Sequence, residues 1–246
     1  IERHRGLFLA AEACYREALE LRTQLRDRHG IAQCQNVLGV LSFQRGEVQM
    51  AKINWEAALD AAQDLGAAQL EALVLVHLGE AARALGHHEE ARVRFEEAVA
   101  RATEIGERRL LSDAERQLGL VALHFGDTAT AKRRCTAALH LAESAGIQVL
   151  IGRSLVALGE VDAVTLFDDT NPNVESAGAH YQRGVDVLRA IGNDAELAWA
   201  LERYGRFSIE RGELDRGRGL LSESAQLFTK LGLPQGKDVW AVLDDL

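Results

Sequence analysis

Proline occurs only twice in this chain of 246 residues, at Pro172 and Pro234, and aromatic side chains make up 5% of it. That scarcity favours helix over sheet, since strands draw on aromatic residues and their turns on proline. Cysteine is also sparse. Cys14, Cys34 and Cys135 are too widely spaced for a zinc site or a disulfide framework. On helices they read as small hydrophobes, which points to a reducing, cytoplasmic setting. No apolar run approaches the roughly 20 residues that cross a bilayer, so no membrane partner is expected. An excess of basic charge is missing too: the net charge of -9 gives no overall attraction to nucleic acid. The first residue is Ile1, and the sequence reads as a piece of something longer.

What is abundant is Ala, Leu, Glu and Arg, all strong helix formers, and they recur in register. Gly39, Gly79, Gly119, Gly159 and Gly205 each follow a bulky residue, Leu38, Leu78, Leu118, Leu158 and Tyr204. Downstream of them a bulky or apolar position recurs as Trp55, Phe95, Cys135, Tyr181 and Leu221. It is followed by a small one at Ala58, Ala98, Ala138, Gly184 and Ser224. Ala11, Tyr15 and Ala18 extend the register backwards. A second set of glycines marks helix ends. Gly46, Gly86, Gly126 and Gly212 divide the two helices of a pair, and Gly66, Gly106, Gly146, Gly192 and Gly232 divide one pair from the next. Glycine is the residue that closes a helix in the left-handed conformation.

These series resemble the tetratricopeptide repeat (TPR) over essentially the whole chain. The Leu-Gly pair corresponds to Leu38-Gly39, and the family's Ala…Phe…Ala series to Ala91, Phe95 and Ala98. The resemblance implies an all-α, α-α superhelical solenoid of antiparallel helix pairs, A then B. Small residues let A nest against B, and the aromatic fills the groove between units. The period is longer than the family's usual repeat of about 34 residues, and its closing proline is replaced by Gln63, Thr103 and Glu143. Long repeats of this kind are similar to those of bacterial peptide-sensing regulators, kinesin light chains and the sensor regions of multidomain regulators. The expected organisation is one solenoid over 1–246: a partial unit at 7–30, units at 31–66, 67–106, 107–146, 147–192 and 193–232, and a cap at 233–246 starting near Pro234. The fourth unit carries an insertion at 166–173, rich in turn formers. It reads as a tolerated loop or as a ridge that touches a partner. Asp168, Asp169 and Asn171 there lack the closing glutamate of a calcium loop.

No phosphate-binding loop, nucleophile elbow or HExxH motif is present. His87, His88, Glu89 and Glu90 are metal-ligand types, but neighbours on a helix start point apart and read as a solvated turn. An enzyme is therefore not expected, and neither a cofactor nor a metal. The resemblance implies instead a concave A-helix groove that holds a protein or peptide. Its positions, counted from the Leu-Gly pair, are Asn36, Phe43, His77, Arg83, Arg116, Gln117, His124, Arg153, Trp199, Arg203 and Arg206. Asn36 suits a peptide main chain, Arg116 with Arg153 a carboxylate, and Trp199 with Arg203 and Arg206 an anchor. The two-lysine clamp of chaperone-binding relatives is absent. Rival readings are a ligand-sensing region of a larger bacterial regulator and self-association through open repeat ends.

Overall fold

The structure is a computed structural model that describes residues 2–164 and 174–245, with side chains from residue 10 and again from residue 177. The insertion at 166–173 lies outside the described residues. These comprise helices only: α1 (Glu2–Gln24), α2 (Arg28–Gln44), α3 (Val48–Asp64), α4 (Ala68–Ala84), α5 (His88–Glu104), α6 (Arg108–His124), α7 (Thr128–Ala145), α8 (Gln148–Val164), α9 (Val174–Ala190), α10 (Asp194–Glu210), α11 (Leu214–Leu231) and α12 (Gln235–Asp244). They group into two compact units, Arg3–Val121 and Ala122–Leu246.

Two helices of 17 residues and two three-residue connections make the 40-residue period. Every glycine expected to end a helix has a positive φ. Those inside a pair lie at 78–81°, and those between pairs at 63–71°. The closing bonds show why the missing proline does not matter. Gly66 donates to the Gln63 carbonyl at 3.0 Å and Ala67 to the Ala62 carbonyl at 2.9 Å, a Schellman-type end that satisfies carbonyls the helix leaves open.

Among the described turns, one has no glycine. Arg26 stands one period before Gly66 and adopts φ 55° between α1 and α2, where α1 ends at Gln24. A side chain there costs about 1 kcal/mol. Arg26→Gly is expected to raise the melting temperature by about 2–4 °C, measured by thermal unfolding followed by circular dichroism.

In Arg3–Val121 the core is a series of plugs. A Cβ on Gly39 would lie 2.4 Å from the Trp55 indole nitrogen, and one on Gly79 would lie 2.5 Å from Phe95. The plug also reaches the next pair, where Trp55 stacks on His77 of α4 with centroids 5.0 Å apart. In Ala122–Leu246 Tyr181 covers Gly159 in the same way and stacks on Tyr204 of α10 at 5.3 Å. Burial pushes the Tyr181 phenol far above its usual range, so it stays neutral. Cys34 and Cys135 are buried as expected, but Cys14 is exposed.

Adjacent B helices are tied by Lys52 on α3 and Glu90 on α5, 2.7 Å apart. The hydrogen bond from Lys52 holds the Glu90 carboxyl below its ordinary value, against the opposing pull of burial. A depressed carboxyl stabilises the fold above its unfolded pKa, and that contribution fades as pH falls through the folded value. Lys52→Ala should therefore lower stability at neutral pH but not at pH values below both. The difference is under about 1 kcal/mol because both groups meet water, and melting curves across the acid range would read it.

Candidate functional site

In Arg3–Val121 the A helices α2 and α4 open on a cleft of about 660 Å3. Its walls include Tyr15 and Arg22 from α1; His29, Gln33, Cys34, Asn36 and Val37 from α2; Gln69, Leu70 and Leu73 from α4; and Arg109 from α6. His29, Gln69 and Arg109 are one position repeated at the period, the second residue of each A helix. Repetition at one register lines them along the edge of the cleft. The floor is apolar at Val37, Leu70 and Leu73, and the amides of Gln33, Asn36 and Gln69 supply donors and acceptors around it.

Of the groove positions expected from sequence, Asn36, Phe43 and His77 come together. The Asn36 side-chain oxygen lies 3.0 Å from His77 Nδ1, and the Trp55 indole N–H donates to the Asn36 carbonyl at 3.1 Å. Phe43 packs on Trp55 with centroids 5.6 Å apart. Asn36 is thus held by its neighbours in both rotamer and position, at the edge of the cleft.

Gln117 is 1% exposed and donates to Glu80 at 2.6 Å, a link between α6 and α4. The equivalent link in Ala122–Leu246 joins Arg203 of α10 to Glu160 of α8. Burial works against the Arg203 charge, but the Glu160 carboxylate outweighs it and raises the guanidinium pKa. At both places the residue after the Leu-Gly glycine meets the residue two before the next one. These side chains join repeats to each other.

Arg116 is buried and bonds Asp113 at 2.7 Å, and Arg153 lies 3.6 Å from Glu196. Arg83 is half-buried in the last turn of α4, and His124 meets Phe125 edge-on at 5.4 Å. Trp199, 38% exposed, leans on Phe228, with ring centroids 5.0 Å apart. Arg203 and Arg206 share its face of α10, but Arg206 is paired to Glu202 at 2.8 Å and Arg203 to Glu160. His87 and Glu90 are 3.5 Å apart beside Lys52. Among the described residues no three His, Cys, Asp or Glu side chains are grouped as metal ligands would be. None of the described helices is long and apolar enough to cross a membrane.

Arg22, His29, Gln69 and Arg109 are not among the groove positions expected from the sequence, which reads Tyr15 only as part of the register. Counting from the Leu-Gly pair favours the middle of each A helix, whereas these lie at helix starts and on α1. The spacing of 29, 69 and 109 was the available signal.

Stacked helix pairs of this length, plugged by an aromatic on a glycine, have the fold of the TPR-type repeat solenoids. Solved structures agree. A Rap protein complexed with competence and sporulation factor superposes with a TM-score of 0.69 over 99% of this chain and 70% of its own, at 16% identity. A signal transduction ATPase with numerous domains and a tetratricopeptide repeat sensor, from Pyrococcus horikoshii, gives 0.63 over 99% of this chain and 37% of its own, at 16% identity. Likeness at that identity is of fold. In sequence, the regulatory protein AfsR of Streptomyces griseus is 28% identical over 239 residues. Those residues are 97% of this chain and 23% of AfsR, so the chain spans about a quarter of that relative. No family model matches the chain.

Proposed function

We propose that this chain is a non-catalytic binding module that holds a peptide or an extended protein segment along its A helices. One observation carries the reading: the cleft on α2 and α4 joins an apolar floor to three side-chain amides. An extended backbone needs both donors and acceptors, and amide side chains supply both. The size suits a few residues of a ligand. The Rap structure, solved with competence and sporulation factor, supports the assignment by its shared fold. The free state of all three cysteines supports a cytoplasmic setting.

Selection of binders from a displayed random-peptide library, with affinities by fluorescence anisotropy, tests this. Gln33→Ala with Gln69→Ala is expected to weaken a selected peptide roughly tenfold. Arg92→Ala with Arg94→Ala, on α5 and already paired to Glu89, Glu96 and Glu97, should not. Equal loss from both pairs, or no binder at all, would refute the reading. A second reading, the ligand-sensing region of a larger regulator, is favoured by the match to AfsR. There a selected peptide would change an activity of the longer protein. Self-association is favoured by exposed Leu21 on α1, Leu25 in the turn after it and Trp240 on α12, and light scattering against concentration reads it.

A further inference from the structure

The turn from a B helix to the next A helix is flanked by two positions eight residues apart that follow a rule in the middle of the chain. They are Ala62 and Leu70, Ala102 and Leu110, and Ala142 and Leu150, with all three alanines fully buried. Ala102 and Leu110 share one apolar cluster. At the first crossing the sizes are exchanged, and the pair is Arg22 and Gly30. The exchange is spatial as well. A Cβ on Gly30 would lie 2.0 Å from Arg22 Nη1, 2.1 Å from Asp27 Oδ2 and 2.6 Å from Arg22 Cδ, so Arg22 together with Asp27 fills the space that a larger residue would take. Its guanidinium emerges into the cleft, with Gln33 at 3.4 Å and Asp27 at 3.6 Å. Asp27 is also engaged in capping α2 through Gly30 N at 3.0 Å.

Arg109 enters the same cleft from α6. Around it, Glu107 accepts from the Arg109 backbone N–H at 3.1 Å and from Gln69 at 3.2 Å. The cleft lining therefore holds two arginines and a histidine but no Asp or Glu, in a chain of net charge -9. Two guanidinium groups facing one concavity give it local positive charge against the acidic whole, offset in part by Asp27 beside Arg22 and Glu107 at the foot of Arg109.

We propose that this cleft selects an extended peptide bearing an acidic side chain beside an apolar one. Arg22 and Arg109 take the carboxylate, the amides of Gln33, Asn36 and Gln69 take the main chain, and Val37, Leu70 and Leu73 take the apolar neighbour. The inference rests on the peptide-binding reading above and adds a charge to it. A guanidinium binds a carboxylate through paired, charge-assisted hydrogen bonds, which a glutamine side chain cannot reproduce.

The test uses a labelled peptide of alternating leucine and glutamate, blocked at both ends, against its leucine–glutamine counterpart. The glutamate peptide is expected to bind at least about tenfold tighter, and salt should narrow the gap. Arg22→Ala with Gly30→Leu installs the pair used at the three middle crossings and should lose the preference. Arg109→Ala should lose it too and keep the melting temperature. Arg22→Gln, which keeps the bulk over Gly30, covers the case in which the double variant fails to fold. Equal binding of the two peptides, or a preference that survives in the variants, overturns the charge while leaving peptide binding in place. Binding only when the carboxyl terminus is left free overturns the side-chain source. Failure of these peptides together with those selected from the library overturns both readings.

Discussion

Phe95→Ala is expected to lower stability by about 3–5 kcal/mol. Phe95 is fully buried, and its ring lies directly over Gly79, where a Cβ would come within 2.5 Å of it. Alanine leaves a void whose floor is a glycine, with no side chain to swing in, so the lost contacts are not replaced. The helices can close the gap only by approaching one another, which Ala91 and Ala98 on either side of the ring already limit. Gly79→Val fails from the other direction, by forcing the ring out of its seat. Urea unfolding followed by circular dichroism measures both, and a loss below about 1 kcal/mol for Phe95→Ala would contradict the plug. Because repeats contact mainly their neighbours, hydrogen exchange should quicken first in α4 and α5.

The plug was legible in the sequence because it repeats. Gly39 with Trp55, Gly79 with Phe95 and Gly159 with Tyr181 share one spacing rule, interrupted only by the insertion. The nine helix-ending glycines were legible for the same reason, and all have left-handed backbones. Arg26 was not, since arginine carries no turn signal and only its place in the register reveals the strain. The candidate site divides the same way. Periodicity placed Asn36, His77, Gln117 and Arg203 on A helices, but it cannot say that Gln117 meets Glu80 or that Arg203 meets Glu160. Those partners depend on how far one pair is shifted against the next. The Arg22–Gly30 exchange is legible only as a departure from the repeat, and a search for what recurs passes over what does not.

Asp162 is the extreme of that kind. Its position, three residues after Gly159, carries Ser42, Ala82, Ala122 and Ser208 in the other pairs, so nothing in the register predicts a carboxylate. It is 1% exposed, with His180 Nδ1 of α9 at 2.9 Å and the Lys132 ammonium of α7 against its other oxygen. One buried carboxylate thus joins three helices of Ala122–Leu246. Asp162→Ala is expected to cost on the order of 2–3 kcal/mol. The lower part of the range usual for a broken buried pair applies because the Lys132 side chain is 44% exposed and can turn to water. His180, 22% exposed, has less freedom and accounts for most of the loss. Asp162→Asn keeps an acceptor for one partner and should cost less than alanine. If the three groups act as one network, Asp162→Ala with His180→Ala will cost less than the sum of the single changes. Strict additivity in urea unfolding would mean that the carboxylate is held by burial alone.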